Sequence, residues 1–397
     1  VNPWTTRTRT RSTHSTTTPA RRTTRAPRGA TALTAALAAL SVLSLSACGA
    51  LDAIGADGDS ESPTHRNDVT VGLLLPDRDT ARFEKFDRPL VQERVGVLTG
   101  EEGKVVYANA EGSAARQSEQ FDRLIADGID VILVAAVDAE AIASDVEKAK
   151  EADIPVIAYD RLAQGPIDAY VSHDNELVGE VQGRAIVDAL GTDAENSKIV
   201  MMNGEPADPN TALFKEGAMS ELDDNVDIAE TYDTEKWVPA VAKANMEKAI
   251  EAVGADDIAA VYAANDGMAG AVIEALDEAG VSDIPPVTGQ DADLAAVQRI
   301  VAGAQYMTVY KSFLLEAGGA AEMAVARVQG RDIQFDSLTG ERVDSPTQKD
   351  IPAMLVPVVA LTQDNIEDTV IRDGVYDVED ICTAKYREAC ASIGLTP

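Results

Sequence analysis

The chain has 397 residues, 67 acidic against 34 basic, and a net charge of −33 at pH 7. A surface of that sign repels nucleic acid and anionic lipid, which excludes a nucleic-acid-binding role. A neutral or cationic ligand suits it better than a phosphorylated one, although the acidity reads equally well as an adaptation to salt.

The start of the chain has a different character. Residues 1–47 carry seven arginines (Arg7, Arg9, Arg11, Arg21, Arg22, Arg25, Arg28) and no acid, then run through a stretch rich in Ala, Leu, Ser and Val. That stretch ends in Leu45-Ser46-Ala47-Cys48, which resembles the lipobox where bacterial lipoproteins are cleaved and lipidated. Residues 1–47 are therefore expected to be a signal peptide, with lipid on Cys48 and the mature body on the extracellular face of the cell membrane. An uncleaved span is the weaker alternative, because a bilayer crossing needs about 20 strongly apolar residues and this run is alanine-rich. Arg21-Arg22 lacks the apolar pair that follows a twin-arginine signal, and the long polar start also fits an initiation site further downstream. Without the seven leader arginines, 27 basic residues face 67 acidic ones, a mature charge of −40.

Residues 48–68 are rich in Gly, Asp, Ser and Glu and read as a flexible tether. From Val69 the pattern changes. Apolar runs at Val69–Leu75, Val131–Val137 and Ile154–Tyr159 alternate with amphipathic helices predicted at Ala114–Ala126, Ala139–Ala149 and Leu177–Leu190. Further strands are predicted at Ile199–Asn203, Ile228–Tyr232, Ile258–Ala263, Val287–Gly289 and Met307–Tyr310. Their helices fall at Leu213–Leu222, Val238–Val253, Met268–Ala279, Leu294–Val301 and Leu314–Val328. Strands apolar on both faces and separated by helices mean parallel sheets covered on both sides. About nine such units exceed one small domain, so the fold class is α/β with two similar lobes.

Polar residues gather where those strands end. Ile154–Tyr159 leads into Asp160-Arg161, Ile199–Asn203 into a loop carrying Asp208 and Asn210, and Ile258–Ala263 into Asn265-Asp266. Val287–Gly289 leads into Gln290-Asp291, and Met307–Tyr310 into Lys311. Open α/β sheets bind ligands at the carboxyl ends of their strands. Asp accepts hydrogen bonds, Lys and Arg donate, and Asn does both, so the set suits vicinal hydroxyls. A sugar ring also has apolar faces that stack on aromatics. Trp237 and Phe83, the latter beside Arg82, are the candidates. Taken singly, each of these residues is more simply a helix cap or a solvated loop end; five strand ends with one chemistry argue for a shared site. No nucleophile elbow, P-loop or dinucleotide fingerprint is present, so the expectation is a binding pocket and no enzyme.

At the same residues the chain resembles the sugar-binding group of type I periplasmic binding proteins, and within it the D-xylose-binding branch of bacterial ABC transporters. The resemblance spans Val69 to about Tyr376. It is carried by Ala158-Tyr159-Asp160-Arg161, by Ser172-His173-Asp174-Asn175-Glu176-Leu177-Val178-Gly179, by Gly289-Gln290-Asp291-Ala292-Asp293-Leu294 and by Met307-Thr308-Val309-Tyr310-Lys311. It implies two Rossmann-like lobes joined by three crossing strands, near Val171–Asn175, Thr308–Lys311 and Ala353–Val356. The lobes are then residues 69–172 with 311–353, and 173–310 with 354–397. It also implies sugar contacts from Arg82, Asp160, Arg161, Asp208, Asn210, Asn265, Asp291 and Lys311, with stacking on Phe83 and Trp237. Phe83 stands where the branch is expected to have tryptophan, and Pro209 where it has asparagine. The implied partners are a monosaccharide, D-xylose first, and an ABC permease, with the chain a monomer. A sugar sensor signalling to a membrane kinase or chemoreceptor, or a binder of another pentose or hexose, is the alternative.

Cys382 and Cys390 remain after Cys48. An even pair in an exported protein suggests a disulfide. A continuous helix would hold their Cα atoms about 12 Å apart, so with 384–389 read as helical the bond requires a bend at one end of it. No cofactor is expected, and no metal, since His65 and His173 are far apart and in no ligand-spaced cluster.

Overall fold

The computed structural model describes residues 66–396. The expected signal peptide, Cys48, His65 and all but the last residues of the tether lie outside the described residues.

The chain begins with β1 (Thr70–Leu75), a π-helical turn at Phe83–Asp87, α1 (Arg88–Thr99), β2 (Lys104–Asn109), α2 (Ala114–Ala126) and β3 (Val131–Val134). It continues through α3 (Ala143–Glu151), β4 (Val156–Tyr159), β5 (Ala169–His173), α4 (Asn175–Leu190), β6 (Lys198–Asn203), α5 (Pro209–Leu222) and β7 (Asp227–Asp233). Next come α6 (Pro239–Val253), β8 (Ile258–Ala263), α7 (Asp266–Glu278), α8 (Leu294–Val301), β9 (Thr308–Lys311) and α9 (Phe313–Val328). The last elements are α10 (Asp332–Leu338), β10 (Glu341–Val343), β11 (Ile351–Val356), β12 (Val358–Leu361), α11 (Val378–Ile381) and α12 (Arg387–Ser392).

One sheet has the order β10-β11-β5-β4-β3-β1-β2 and is parallel except for the β10–β11 pair. Its strands are buried on both faces because alternate side chains serve two helical layers. Leu73 and Leu75 join Val91 and Val95 of α1 and the alanine-rich face of α9, while Leu74 joins Phe121 of α2 and Val146 of α3. A second, parallel sheet has the order β7-β6-β8 and shares one core with α4, α5, α6 and α7. The α4–α5 crossing needs glycine: a Cβ at Gly217 would overlap the carbonyl of Glu176.

The strand expected at Val287–Gly289 is reduced to isolated parallel bridges, Val261 to Val287 and Gln290 to Val309. Pro285 and Pro286 precede it and lack the N–H groups that would lengthen the ladder. These bridges still connect β8 to the antiparallel pair β9–β12. The helix predicted from Ala139 begins at Ala143, after a turn through Asp138–Ile142.

The chain passes between the two cores three times: from β5 into α4, from β9 into α9, and from β11 into β12. β11 stays in register with β5 as far as Val356 opposite His173.

The tail folds against α8 in a separate cluster that includes Tyr376, Ile381 and Leu395. Residues 383–386 form a turn and α12 starts only at Arg387, so the 384–389 segment is not one helix. That bend brings the Cα atoms of Cys382 and Cys390 to 5.9 Å, within a disulfide.

Candidate functional site

The carboxyl ends of both sheets face one another across a small cavity. All ten residues singled out from the sequence line it: Arg82, Phe83, Asp160, Arg161, Asp208, Asn210, Trp237, Asn265, Asp291 and Lys311. Thr80, Phe214 and Gln290 complete the lining. Local structure explains several placements. Asp208 caps α5, accepting the Asn210 N–H at 2.9 Å, and Asn265 caps α7, accepting the Met268 N–H at 2.9 Å. A cap and a cavity wall are here the same residue.

The wall built on the first sheet is a lattice of ion pairs. Arg82 is buried and donates to Asp87 at 2.7 and 2.9 Å, to Asp160 at 3.0 Å, and to Glu316. Burial disfavours its charge, but Asp87, Glu316 and Asp160 outweigh this and hold the guanidinium firmly protonated. Asp160 adopts φ 60°, a left-handed conformation that Asp tolerates better than most residues. Its carbonyl accepts from Ser172 Oγ at 2.8 Å, Asn210 Nδ2 at 2.9 Å and the Tyr170 hydroxyl at 3.0 Å. Arg161 reaches across to Asp208, Nε to Oδ2 at 2.7 Å, and back to Asp77 at 3.3 Å. Burial pushes the Asp208 carboxyl up to about 6, against the pull of Arg161. Thus Arg161–Asp208 and Asn210–Asp160 already join the two cores directly.

The wall built on the second sheet is sparser. Its ion pair is Lys311 Nζ to Asp291 Oδ1 at 2.8 Å. Asp291 and Ala292 have φ 93° and 51°, a backbone that costs free energy and is held by its surroundings. Gln290 Oε1 and, on the opposite wall, Thr80 Oγ1 are buried without a hydrogen bond. Aromatic rings bound the space on both sides. Phe83 lies under the guanidinium of Arg161, 5.6 Å to the ring centroid. Trp237 meets Phe214 edge to face at 6.4 Å and donates its indole N–H to Asp208 at 3.1 Å. A Cβ on Gly204 would overlap the Trp237 ring, so the absence of a side chain there sets how far the indole is seated.

Asp160, His173 and Glu316 bring ligand atoms within 4.8 Å of one another, a grouping with a metal-like donor set. The cation that Asp160 and Glu316 hold is Arg82. Burial, with Lys311 and Arg82 adding to it, pushes His173 well below its ordinary range and keeps it neutral. Burial likewise raises Glu316, with Arg82 opposing. The chemistry of the group is that of a cation clamp.

Sequence reasoning missed Thr80, Phe214, Asp87 and Glu316. It saw Gln290 at a strand end without counting it in the site. Glu316 gave no local signal, because its partner Arg82 is 234 positions away.

A bilobal α/β protein with aromatic faces and paired donors and acceptors between its sheets defines a binding protein for a small, hydroxyl-rich ligand. Residues 71–332 match the family model for the periplasmic binding protein domain. The D-xylose-binding periplasmic protein of Escherichia coli (strain K12) is 35% identical over 323 residues, 80% of this chain and 94% of that protein. A carbohydrate transporter solute binding protein from Chloroflexus aurantiacus, solved in complex with D-glucose, is 31% identical with a TM-score of 0.67, over 78% of this chain and 97% of that one. An ABC transporter solute binding protein from Clostridium phytofermentans with bound β-D-glucose has a TM-score of 0.71 at 25% identity, over 79% of this chain and 99% of that one. The chain belongs to the type I periplasmic sugar-binding proteins of the ABC transporter type. These relatives are named for binding and transport, which fits a protein without catalytic machinery. Among the described residues, no helix is long and apolar enough to cross a membrane.

Proposed function

We propose that the mature chain is tethered by lipid on Cys48 outside the cell membrane, captures D-xylose as a monomer, and hands it to a membrane permease. The lobes are residues 69–172 with 311–353 and 173–310 with 354–397, and the sugar is enclosed when they close. The supporting observation is the pairing of unsatisfied polar atoms with aromatic faces. Thr80 Oγ1 on one wall and Gln290 Oε1 on the other are buried without a hydrogen bond, in a lining that also holds Phe83 and Trp237. Ring hydroxyls satisfy such atoms, and the C–H faces of a pyranose cover the rings. A ligand that contacts both walls favours the closed form over the open one, which is what closure requires. The relative named for D-xylose favours a pentose. A hexose is the second reading, because two structural neighbours are named with glucose bound.

The test is a fluorescence titration of the mature body with D-xylose, L-arabinose, D-ribose, D-glucose and D-galactose. Trp237 is the one tryptophan after residue 47, so the signal originates in the lining. Saturation at the lowest concentration by D-xylose is the expected result. Tighter saturation by D-glucose moves the assignment to a hexose, and no response to any of the five, by fluorescence or by calorimetry, refutes it.

A further inference from the structure

The tail beyond β12 lies outside the ion-pair lattice and the strand ends, yet it touches both walls. The hydroxyl of Tyr376 donates to the carbonyl of Ala292 at 3.1 Å. Ala292 is the second residue of the left-handed pair that begins with Asp291, so this bond holds the turn that presents the Asp291 carboxylate to the cavity. The ring of the same tyrosine faces the other lobe. Phe86 meets it edge to face at 5.9 Å and 70°, and Lys85 Nζ lies 4.8 Å from its centroid. Phe86 in turn stacks on Phe313 at 5.3 Å.

The placement of Phe86 is unusual for its segment. Phe83, three positions earlier, is buried in the core of the first sheet, whereas Phe86 joins the cluster of the tail. Both lie on the π-helical turn that carries Arg82 into the cavity. The tail is itself pinned: Ile381, Cys382, Cys390 and Leu395 belong to the cluster that contains Tyr376, and the disulfide closes it.

We infer that Tyr376 is a positioning residue of the sugar site and the catch of an inter-lobe latch: its hydroxyl fixes the Asp291 turn, and its ring clasps Lys85 and Phe86 beside Arg82 and Phe83. The latch acts whenever the lobes are closed, with sugar or without, since Lys85 and Phe86 part from Tyr376 only when the lobes open. It therefore slows escape of the sugar without hastening its entry. This inference rests on the sugar-binding reading above.

The experiment compares the mature protein with Lys85→Met and Tyr376→Phe, using D-xylose as probe. Stopped-flow fluorescence gives association and dissociation rates, calorimetry gives melting temperatures, and hydrogen exchange follows the amides of 83–87 without sugar. Lys85→Met removes a cation over an aromatic face and is expected to speed dissociation about fivefold, with association within about twofold of wild type. Tyr376→Phe keeps the ring, loses the bond to Ala292, and is expected to weaken binding about fivefold. In Lys85→Met the 83–87 amides exchange faster than in wild type. Unchanged dissociation together with unchanged exchange overturns the latch, as does a fall in melting temperature with both rates intact. Should wild type bind none of the five sugars, the function proposed above fails, while the exchange of 83–87 still decides for or against the latch.

Discussion

The two walls of the cavity are built on opposite principles. On the first-sheet side, Arg82 and Arg161 are surrounded by Asp77, Asp87, Asp160, Asp208 and Glu316, so each charge is held from several directions. On the second-sheet side, one ion pair, a left-handed turn and the unbonded Gln290 Oε1 share the work. The first wall is rigid because removing any member strands a buried charge. The second keeps hydrogen-bonding capacity free for a ligand. A closed site with exchangeable contents needs both, one side as an anvil and the other as a reader.

The contrast predicts that the first wall fails in stability and the second in binding. Arg82→Met leaves Asp87 and Glu316 buried without their cation and is expected to destabilise the fold by about 3–5 kcal/mol, read as the largest loss in a denaturant titration. An effect confined to sugar affinity would break the comparison. Gly204→Ala drives a methyl group into the Trp237 ring, and overpacking of this kind costs about 1–3 kcal/mol. A blue or red shift of the Trp237 emission in the sugar-free protein, with weakened sugar binding, is the expected signature.

Asp208 sharpens the comparison through pH. Its folded value is raised from 3.8 to about 6, so the contribution to stability is complete below the unfolded value and is lost as pH rises through the folded one. Between pH 4 and 6 the wild type should therefore lose up to about 1.4 kcal/mol per pH unit from this group. Asp208→Asn should flatten that part of the stability curve; an unchanged slope would show that the carboxyl is not perturbed.

The same division explains what was legible in the sequence. Asp160, Asn265, Asp291 and Lys311 could be read from the chain because the carboxyl ends of parallel strands converge by topology, and a strand end is visible in the local pattern. Glu316 could not. It is an acid in an alanine- and glycine-rich helix, where a solvated face is the natural reading, and only the return of α9 to the first sheet places it against Arg82. Phe214 reads as core for the same reason, and Thr80 as an ordinary loop hydroxyl. β2 escaped because Lys104, Val106 and Tyr107 are partly exposed and blur the apolar run. β11 was reached only through the resemblance, as the crossing near Ala353–Val356, and β12 escaped, because each is only partly buried and a single residue, Pro357, separates them. The order of strands in the sheets, with β11 beside β5, rests on pairings more than 180 positions apart, which no local pattern contains.

The most direct test of the account is calorimetric titration of D-xylose into wild type and Asp291→Ala, with melting curves of both sugar-free proteins. The account predicts saturable binding to wild type, a loss of about 1.5–3 kcal/mol of binding in the variant, and a smaller fall in melting temperature than Arg82→Met produces, since one buried cation, Lys311, loses its partner. Equal affinity in the two proteins would contradict it, because the reading wall would then have lost a reader without losing the sugar.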